Sequence, residues 1–257
     1  MTNGISPSGL STDLKTGLAF LTRLSVGARP AEGAELMRAS WTFPIIGASV
    51  GAFGALIYWL AHAFGLQPFI CGVFAVAATL LLTGGLHEDG LADTADGFGA
   101  SANVERKLAI MHDSQIGTYG AAALTLSLML RVGALASLAD PALAAAALIA
   151  AHSGARAAML VFMRNVPRAR DDGLSADAGV PTKSSSLTAV AIGAVVLLLC
   201  LGLAATLAAL LLLAAAGAAM AWLGVRQIGG QTGDVLGAFE QTGEIVILLI
   251  AAAGHLA

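Results

Sequence analysis

The sequence predicts an all-α protein: a polytopic membrane bundle of about six to seven transmembrane helices, with an amphipathic interfacial helix near the N-terminus. Hydrophobic residues make up 57% of the 257 residues, whereas only 11% are charged. The mean hydropathy of +0.82 lies outside the usual range of soluble domains. Several apolar runs approach the roughly 20 residues that a helix needs to cross a bilayer. We therefore expect residues 1–257 to form a single integral membrane domain.

The elements follow in chain order from local patterns. Residues 12–26 carry leucines on one side and charges elsewhere, which predicts a helix lying on the inner leaflet. The predicted spans are 43–64, 69–86, 116–138, 142–163, 187–204, 205–224 and 243–257. The last span is short, and the 187–224 block could be divided differently. Cys71 and Cys200 fall inside spans, so no structural disulfide is predicted.

Three further helix signals complete this outline. Pro44 suits the start of the first span, because proline is well tolerated in the first turn of a helix. The loop between the second and third spans has helical character from Val104 to Met111. A helix is also expected to begin at Thr232 or Asp234, since both residue types cap helices.

Positive charges are concentrated on one side of these spans. The loops 1–42, 87–115, 164–186 and 225–242 hold eleven of the 13 lysine and arginine residues, and the opposite loops hold none. The positive-inside rule therefore places these long loops in the cytoplasm. The net charge of −3 and the lack of a basic block argue against a nucleic-acid partner. A transporter would need polar groups near the membrane midplane, whereas we expect the polar chemistry of this chain at one surface.

The most informative motif is GGLHEDGLADTADGFG, residues 84–99. Asp89, Asp93 and Asp96 share one face of a helix, where like charges repel unless a cation holds them. Mg²⁺ is the simplest explanation, and the alternative is a solvated helix end. His87 could be a general base, a supporting hydrogen-bond donor or a plain interfacial histidine. The glycines that follow two of these aspartates, Gly90 and Gly97, leave room where a side chain could obstruct a phosphate.

Two other polar segments are candidates for the same site. In MHDSQIGTYG, Asp113 could bind metal, and Ser114 and Gly117 could present an anion-binding helix start; the alternative is a cap for the third span. In GGQTGD, Asp234 could bind metal or accept a proton, and the alternative is a flexible turn with a helix cap. The residues that precede it and could contact a phosphate or nucleotide are Gln231, Thr232 and Gly233.

Arginines offer a further set of candidates. Arg156 lies deep in a predicted span, where it either pairs with a carboxylate or binds a phosphate or amide group of a substrate. Arg164, Arg168 and Arg170 could grip a polyanionic substrate, but anchoring at the cytoplasmic face explains them equally well.

These segments resemble those of the adenosylcobinamide-GDP ribazoletransferase family, also called cobalamin-5′-phosphate synthases. The run HEDGLADTADG at residues 87–97 is similar to the family's signature, except that an apolar residue is expected in place of Glu88. The further matching segments are FLTRL at 20–24, FPIIG at 43–47, ERKLAIMHDSQIGTYGA at 105–121 and GGQTGDVLGAFEQTGE at 229–244. Four separated matches in the right order are more specific than any one alone.

The resemblance implies an integral enzyme of the bacterial inner membrane that acts late in cobalamin biosynthesis, with its active site on the cytoplasmic side. It would use Mg²⁺ to join adenosylcobinamide-GDP to the 3′ hydroxyl of α-ribazole or its 5′-phosphate, with release of GMP. Asp89, Asp93, Asp96 and Asp113 would then hold metal, and Asp234 would accept the proton, with His87 as a rival base. Membrane lipid is an expected partner, and the glycine-rich spans are compatible with a homo-oligomer. Two other classes stay open: an intramembrane prenyltransferase, and a transporter or structural membrane protein.

Overall fold

A computed structural model describes residues 7–27 and 33–255, and within these ranges it contains helices and no strand. In chain order the helices are α1 (Pro7–Leu21), α2 (Gly33–Ala39), α3 (Phe43–Ala63), α4 (Pro68–Thr83), α5 (Leu86–Gly99), α6 (Val104–Met111), α7 (Thr118–Leu138), α8 (Pro141–Asn165), α9 (Leu174–Ala178), α10 (Lys183–Ile228) and α11 (Gly233–His255). Five helical segments of these ranges are long and apolar enough to cross a membrane, and the bent pair α4–α5 adds a sixth if it counts as one span. The predicted all-α membrane bundle is confirmed.

The N-terminal helix lies five residues earlier than predicted. Helix α1 ends at Leu21. Two residues later the backbone no longer makes a helical hydrogen bond, because the Arg23 N–H donates to the carbonyl of Leu82 in α4 at 2.8 Å. Asp13 fastens α1 to the start of the bundle by accepting hydrogen bonds from Trp41 Nε1 at 3.0 Å and Arg38 Nε at 3.2 Å. The predicted boundaries of 12–26 are therefore wrong, although an N-terminal helix at this place is confirmed.

Helix α10 makes two passes rather than one. Gly202 has φ 78° and ψ 176°, which interrupts the helix and divides α10 into two arms. Both ends of α10 meet elements at the same end of the bundle, since Ser185 Oγ donates to the Arg38 carbonyl and Gln227 binds Lys107. The arms are therefore antiparallel, and the predicted division after residue 204 lies close to the observed break.

Helix α11 begins ten residues before the span predicted at 243–257, and that prediction is wrong. The reason is that Glu240 was assigned to a loop outside the span, whereas Glu240 and Glu244 are 0% and 1% exposed inside the helix. The separate prediction of a helix start at Thr232 or Asp234 is confirmed, because α11 begins at Gly233. Both glutamates pair with buried Arg156. The predicted loop 225–242 accordingly shrinks to the short connection 229–232 between α10 and α11.

The remaining local predictions hold. Pro44 lies in the first turn of α3, and α6 spans Val104–Met111 as expected. Both cysteines are free. The apolar core has two clusters, one that includes Tyr58 and Leu148 and a second, nearer α5, that includes Phe43 and Met159.

Candidate active site

A sharp bend turns the aspartate-rich segment away from the direction of α4. Gly84 and Gly85 have φ of 73° and 71°, a region that residues with a Cβ rarely adopt. Helix α5 consequently turns by 92° from the direction of α4, and we place it outside the straight spans. A cavity of about 1060 Å³ opens beside it. Its acidic lining residues come from three separate segments and are Glu88, Asp89, Asp93, Asp113 and Asp234.

Two glycines bring the third of these segments against the first. A Cβ on Gly90 would lie 2.8 Å from the Asp234 carbonyl oxygen and 2.9 Å from its Cα. A Cβ on Gly237 would likewise lie 3.1 Å from the His87 carbonyl oxygen. The backbones of α5 and α11 therefore touch at this crossing, which places Asp234 beside the aspartates of α5.

The structure gives Gly90 and Gly97 a packing role instead of the predicted role beside a phosphate. Neither glycine is among the residues that line the cavity. The position of the missing Cβ of Gly97 is occupied by the side chain of Met111. The physical reason is that both glycines face neighbouring helices rather than the aspartate face of α5.

Asp93 is the most crowded of the acidic residues. Burial, followed by the negative charges of Asp89, Asp234 and Asp96, raises its pKa to about 7. These four carboxylates therefore act on one another electrostatically. Asp113 lines the same cavity from the loop that precedes α7.

Asp96 has a second role that the sequence did not indicate. Its two carboxylate oxygens accept hydrogen bonds from the backbone N–H groups of Gly117 at 2.7 Å and Gly120 at 2.8 Å. Asp96 thus stabilises the start of α7, the position for which Asp113 or Ser114 was the alternative cap. Asp113 instead accepts from the Gln115 N–H at 3.0 Å within its own turn. Metal binding by Asp96 stays a prediction, as does anion binding at Gly117.

The glycine-rich connection 229–233 is mostly buried, which corrects the expected exposure of Gln231 and Thr232 to a ligand. The Gln231 N–H donates to the Pro167 carbonyl, and its side chain accepts from Ser175 Oγ at 2.8 Å. Thr232 Oγ1 donates to Asp234 Oδ2 at 3.1 Å and is 1% exposed. These two side chains hold the connection and orient Asp234, while Gly233 and Ser114 line the cavity.

Two arginines face the acidic residues across the cavity. The Arg170 Nη2 atom lies 3.8 Å from Asp234 Oδ2. The guanidinium of Arg23 rests against Gly84 and lines the same cavity. Of the three arginines considered for a polyanion, only Arg170 is here, because Arg164 and Arg168 donate to backbone carbonyls elsewhere in their loop. Sequence reasoning missed Arg23, whose signal is a lone cation directly after the apolar face of α1.

A buried charged layer lies beneath the cavity. Arg156 is 1% exposed and pairs with both Glu240 and Glu244, the latter at 2.9 Å. His87 is also buried, with Nδ1 3.2 Å from Glu240 Oε2 and 3.4 Å from Arg156 Nη2. The sequence left two roles open for Arg156, and the structure shows the carboxylate pairing. Substrate contact by Arg156 and general-base catalysis by His87 stay predictions.

The same layer extends to α7. Arg131 donates to Glu88 Oε1 at 3.0 Å and to Glu244 Oε2 at 3.1 Å. His152 contacts Glu244 as well, and its ring and two glutamates could in principle hold a metal ion. Arg131 and Arg156 pair with these glutamates, so we interpret the cluster as a charge-paired network rather than a metal site. Its signal in the sequence is a pair of i,i+4 patterns, His152 with Arg156 and Glu240 with Glu244.

The sequence of this chain matches a known protein family over most of its length. A sequence model of the family described as cobalamin-5-phosphate synthase matches residues 13–252. The chain is 54% identical over 242 residues to the adenosylcobinamide-GDP ribazoletransferase of Bradyrhizobium diazoefficiens, which covers 94% of this chain and 93% of that protein. It is 45% identical over 247 residues to the protein of the same name from Mesorhizobium japonicum, covering 96% of this chain and 95% of that one. No solved structure matches the chain.

The family match covers the acidic cavity, the bend before α5 and the charged layer beneath them. The alignments with the two relatives cover nearly the whole of each chain. This protein therefore belongs to the cobalamin-5-phosphate synthase family.

Proposed function

We propose that this protein transfers the adenosylcobinamide-phosphate moiety of adenosylcobinamide-GDP to the ribose 3′ hydroxyl of α-ribazole or its 5′-phosphate. GMP is released, and adenosylcobalamin or its 5′-phosphate is formed. The names of the relatives support the donor and the acceptor. The observation that carries the proposal is the cavity, which gathers aspartates from three segments of the chain next to two arginines.

The donor set of the cavity fits Mg²⁺. Its ligands would be carboxylate oxygens, which hard divalent cations prefer. The pKa of Asp93 is raised by burial and then by repulsion from neighbouring carboxylates, which a bound cation would relieve. We propose that Asp89, Asp93 and Asp113 hold the ion, with Asp96 supporting them from the start of α7. Bound Mg²⁺ would neutralise the negative charge of the pyrophosphate oxygens.

The remaining chemistry belongs to side chains of this protein. Arg23 and Arg170 bind phosphate oxygens of the donor, because guanidinium groups form strong charge-assisted hydrogen bonds to phosphate. Asp234 accepts the proton of the ribose hydroxyl as that oxygen attacks the phosphorus on the corrinoid side. The bond from this phosphorus to the GMP oxygen breaks, and GMP leaves with the electron pair. Asp234 is favoured over His87 because it lines the cavity, whereas His87 is 4% exposed beneath it.

We also propose that the protein lies in the bacterial inner membrane with this site toward the cytoplasm. The lysine and arginine residues of the loops 87–115 and 164–186, which border the cavity, support that orientation. The corrinoid is too large to be enclosed in about 1060 Å³ together with the nucleotide, so the open side of the cavity would face water.

The test is GMP release by the purified protein in lipid nanodiscs, supplied with adenosylcobinamide-GDP and α-ribazole. We expect GMP and adenosylcobalamin in equal amounts, loss of both after removal of divalent cations, and recovery when Mg²⁺ is returned. α-Ribazole 5′-phosphate in a parallel reaction identifies the preferred acceptor. Protein that elutes as a single folded species and forms neither product under these conditions overturns the proposal.

A further inference from the structure

A long apolar groove lies on the side of the bundle where α8 packs against the two arms of α10. Its volume is about 440 Å³, and it shares no lining residue with the acidic cavity. Small residues leave the space between these helices, and they include Gly154, Ala158, Gly193, Ala214 and Ala218. We call this space the interarm groove.

The interarm groove opens to the outside of the bundle. Val161 and Leu210 line it and are 40% and 39% exposed. Both α8 and α10 are long and apolar enough to cross a membrane. Water finds no polar partners in an apolar space, and leaving the groove empty would forfeit packing contacts along its walls. Its natural filling is therefore hydrocarbon from the surrounding membrane.

The length of the interarm groove matches one leaflet of a bilayer. Its lining runs from Gly154 to Asn165 along α8, and from Leu210 to Ala221 along the second arm of α10. At 1.5 Å per residue, each of these stretches is about 16 Å long. Half of the hydrocarbon core of a bilayer is about 15 Å thick. The groove thus reaches from one membrane surface to near the midplane.

The width of the interarm groove favours a single chain over a helix. A volume of about 440 Å³ over a length of about 16 Å corresponds to a mean cross-section of roughly 28 Å². An α-helix with its side chains is about 10 Å across and covers roughly 80 Å². Carbon atoms of neighbouring hydrocarbon chains pack about 4 Å apart, so one acyl chain fits. A helix from a second copy of the protein does not.

A basic pocket continues the groove at one end. The two share Asn165, Val166 and Ala221, and the basic pocket is also lined by Trp222 and Arg226. The guanidinium carbon of Arg226 lies 5.2 Å from the centroid of the Trp222 ring. Among the residues that the structure describes, no carboxylate forms an ion pair with Arg226. Its charge is therefore available to an anion, at a position where a tryptophan marks the membrane surface.

We propose that the interarm groove binds one acyl chain of a membrane phospholipid whose phosphate lies on Arg226. The chain fills the space between α8 and the arms of α10, and the phosphate accepts charge-assisted hydrogen bonds from the guanidinium. The chain also packs against Phe239, which lines the groove and stacks on Phe162 at 4.8 Å between ring centroids. Phe239 belongs to α11, so the lipid supports the helix that carries Asp234. This assignment does not depend on the transfer reaction.

Filling the interarm groove tests the assignment. Ala214 and Ala218 line it and are exposed, so Ala214→Leu combined with Ala218→Leu places larger side chains in the space for the chain. Protein is purified in detergent, incubated with phosphatidylglycerol and analysed by native mass spectrometry. We expect wild-type protein to retain one lipid molecule, and the double variant to retain it at least about fivefold less often. The matched control is Ala215→Leu combined with Ala219→Leu, which changes exposed alanines of the same arm that do not line the groove and should retain lipid as wild type does.

The phosphate contact has its own test. Arg226→Gln removes the charge of the basic pocket and is expected to lower retention of phosphatidylglycerol about threefold or more. Arg106→Gln is the control, because Arg106 is an exposed arginine of α6 that lines neither the groove nor the basic pocket. Retention by Arg226→Gln at the wild-type level would contradict the proposed position of the phosphate.

A photolabel gives an independent readout on wild-type protein, which holds even if the filled double variant fails to fold. A phospholipid with a diazirine near the end of one acyl chain is expected to label Leu213 more strongly than Leu211. Leu213 lines the groove and is 5% exposed, whereas Leu211 faces outward on the same arm and is 70% exposed.

Three outcomes would overturn the proposal. The first is labelling confined to Leu211 and other outward residues, which means only contact with the lipid that surrounds the bundle. The second is equal lipid retention by the filled double variant and its control. The third is a wild-type dimer that the filled double variant abolishes, which would assign the groove to a second copy of the chain.

Discussion

The carboxylate of Asp93 is partly buried and shares its surroundings with three other aspartates, and burial and then these charges raise its pKa to about 7. At neutral pH such a group holds a proton for part of the time unless a cation stabilises its charged form. Asp93 is also flanked on α5 by Asp89, which lines the same cavity. Among the proposed ligands, it is the residue whose charge depends most on a bound ion.

We expect Asp93→Asn to lower kcat by about 100-fold or more, because the amide preserves the size of the side chain and removes its charge. The measurement is GMP release in nanodiscs at saturating concentrations of both substrates. Asp177→Asn is the matched control, since Asp177 is an exposed aspartate on α9 that does not line the acidic cavity. Turnover near the wild-type level would remove Asp93 from the proposed metal site.

We expect Arg23 to contribute to binding of the donor substrate and not to binding of the acceptor. Its guanidinium lines the acidic cavity. Arg23→Gln removes a charge-assisted hydrogen bond to the donor phosphate and is therefore expected to raise the KM for adenosylcobinamide-GDP about tenfold. The KM for α-ribazole should stay unchanged. Arg106→Gln changes an exposed arginine of α6 and serves as the control. Equal changes in the two constants would contradict binding of donor phosphate by Arg23.

The acidic part of the candidate site was largely predictable at this scale, because helical spacing places Asp89, Asp93 and Asp96 on one face. That Asp113 and Asp234 line the same cavity follows from packing between distant segments, which one sequence does not measure. Arg23 was not distinguished because the positive-inside rule explains any basic residue in a cytoplasmic loop equally well.

At the scale of elements, the crossing of α5 and α11 decides where Asp234 lies. Gly90 and Gly237 let the two backbones meet, with hypothetical Cβ atoms only 2.8 and 3.1 Å from carbonyl oxygens of the opposite helix. The atoms that a new Cβ would meet here belong to the backbone, which cannot move aside as the end of a flexible side chain can. A methyl group at this crossing must therefore move one helix relative to the other.

We expect Gly90→Ala to lower kcat at least about tenfold, since small displacements of reacting groups are expensive in catalysis. Gly133→Ala is the control, because Gly133 lies in α7 with open space around its Cβ position and an ordinary helical φ. That change should leave turnover unaffected and favour the helix slightly. Equal activity of the two variants would show that the α5–α11 distance does not govern the reaction.

The predicted helix boundaries were wrong where charged residues lie inside a helix or where the backbone bonds to a distant residue. Glu240 was left outside the predicted last span because isolated carboxylates are unfavourable in a membrane, and its partner Arg156 is more than 80 residues away in sequence. Helix α1 ended early because Arg23 bonds to Leu82. In contrast, α6 and the start of α3 depend on local signals, and both were predicted correctly.

The described part of the molecule has three layers along the bundle: an apolar core, a buried charged layer and the acidic cavity. The sequence predicted polar chemistry at one surface only, and the charged layer corrects that view. It links helices that also carry the site, since Glu88 belongs to α5, Arg131 to α7 and Glu244 to α11. We infer that it fixes the relative positions of these helices beneath the cavity.

A double-mutant cycle between Arg131 and Glu88 tests this inference. Within the described part of the chain, Arg131 is the only basic residue paired with Glu88, so Arg131→Met leaves a buried carboxylate without its partner. We expect this change to lower the free energy of unfolding by about 3–5 kcal/mol, measured from thermal unfolding in detergent. Glu88→Leu should be milder, because Arg131 keeps its contact with Glu244. The double variant should then be more stable than the sum of the single effects predicts, since it removes the stranded charge as well as its partner. Strictly additive losses would mean that the two residues do not stabilise one another, and that α5 is held against α7 by packing and the Asp96 cap alone.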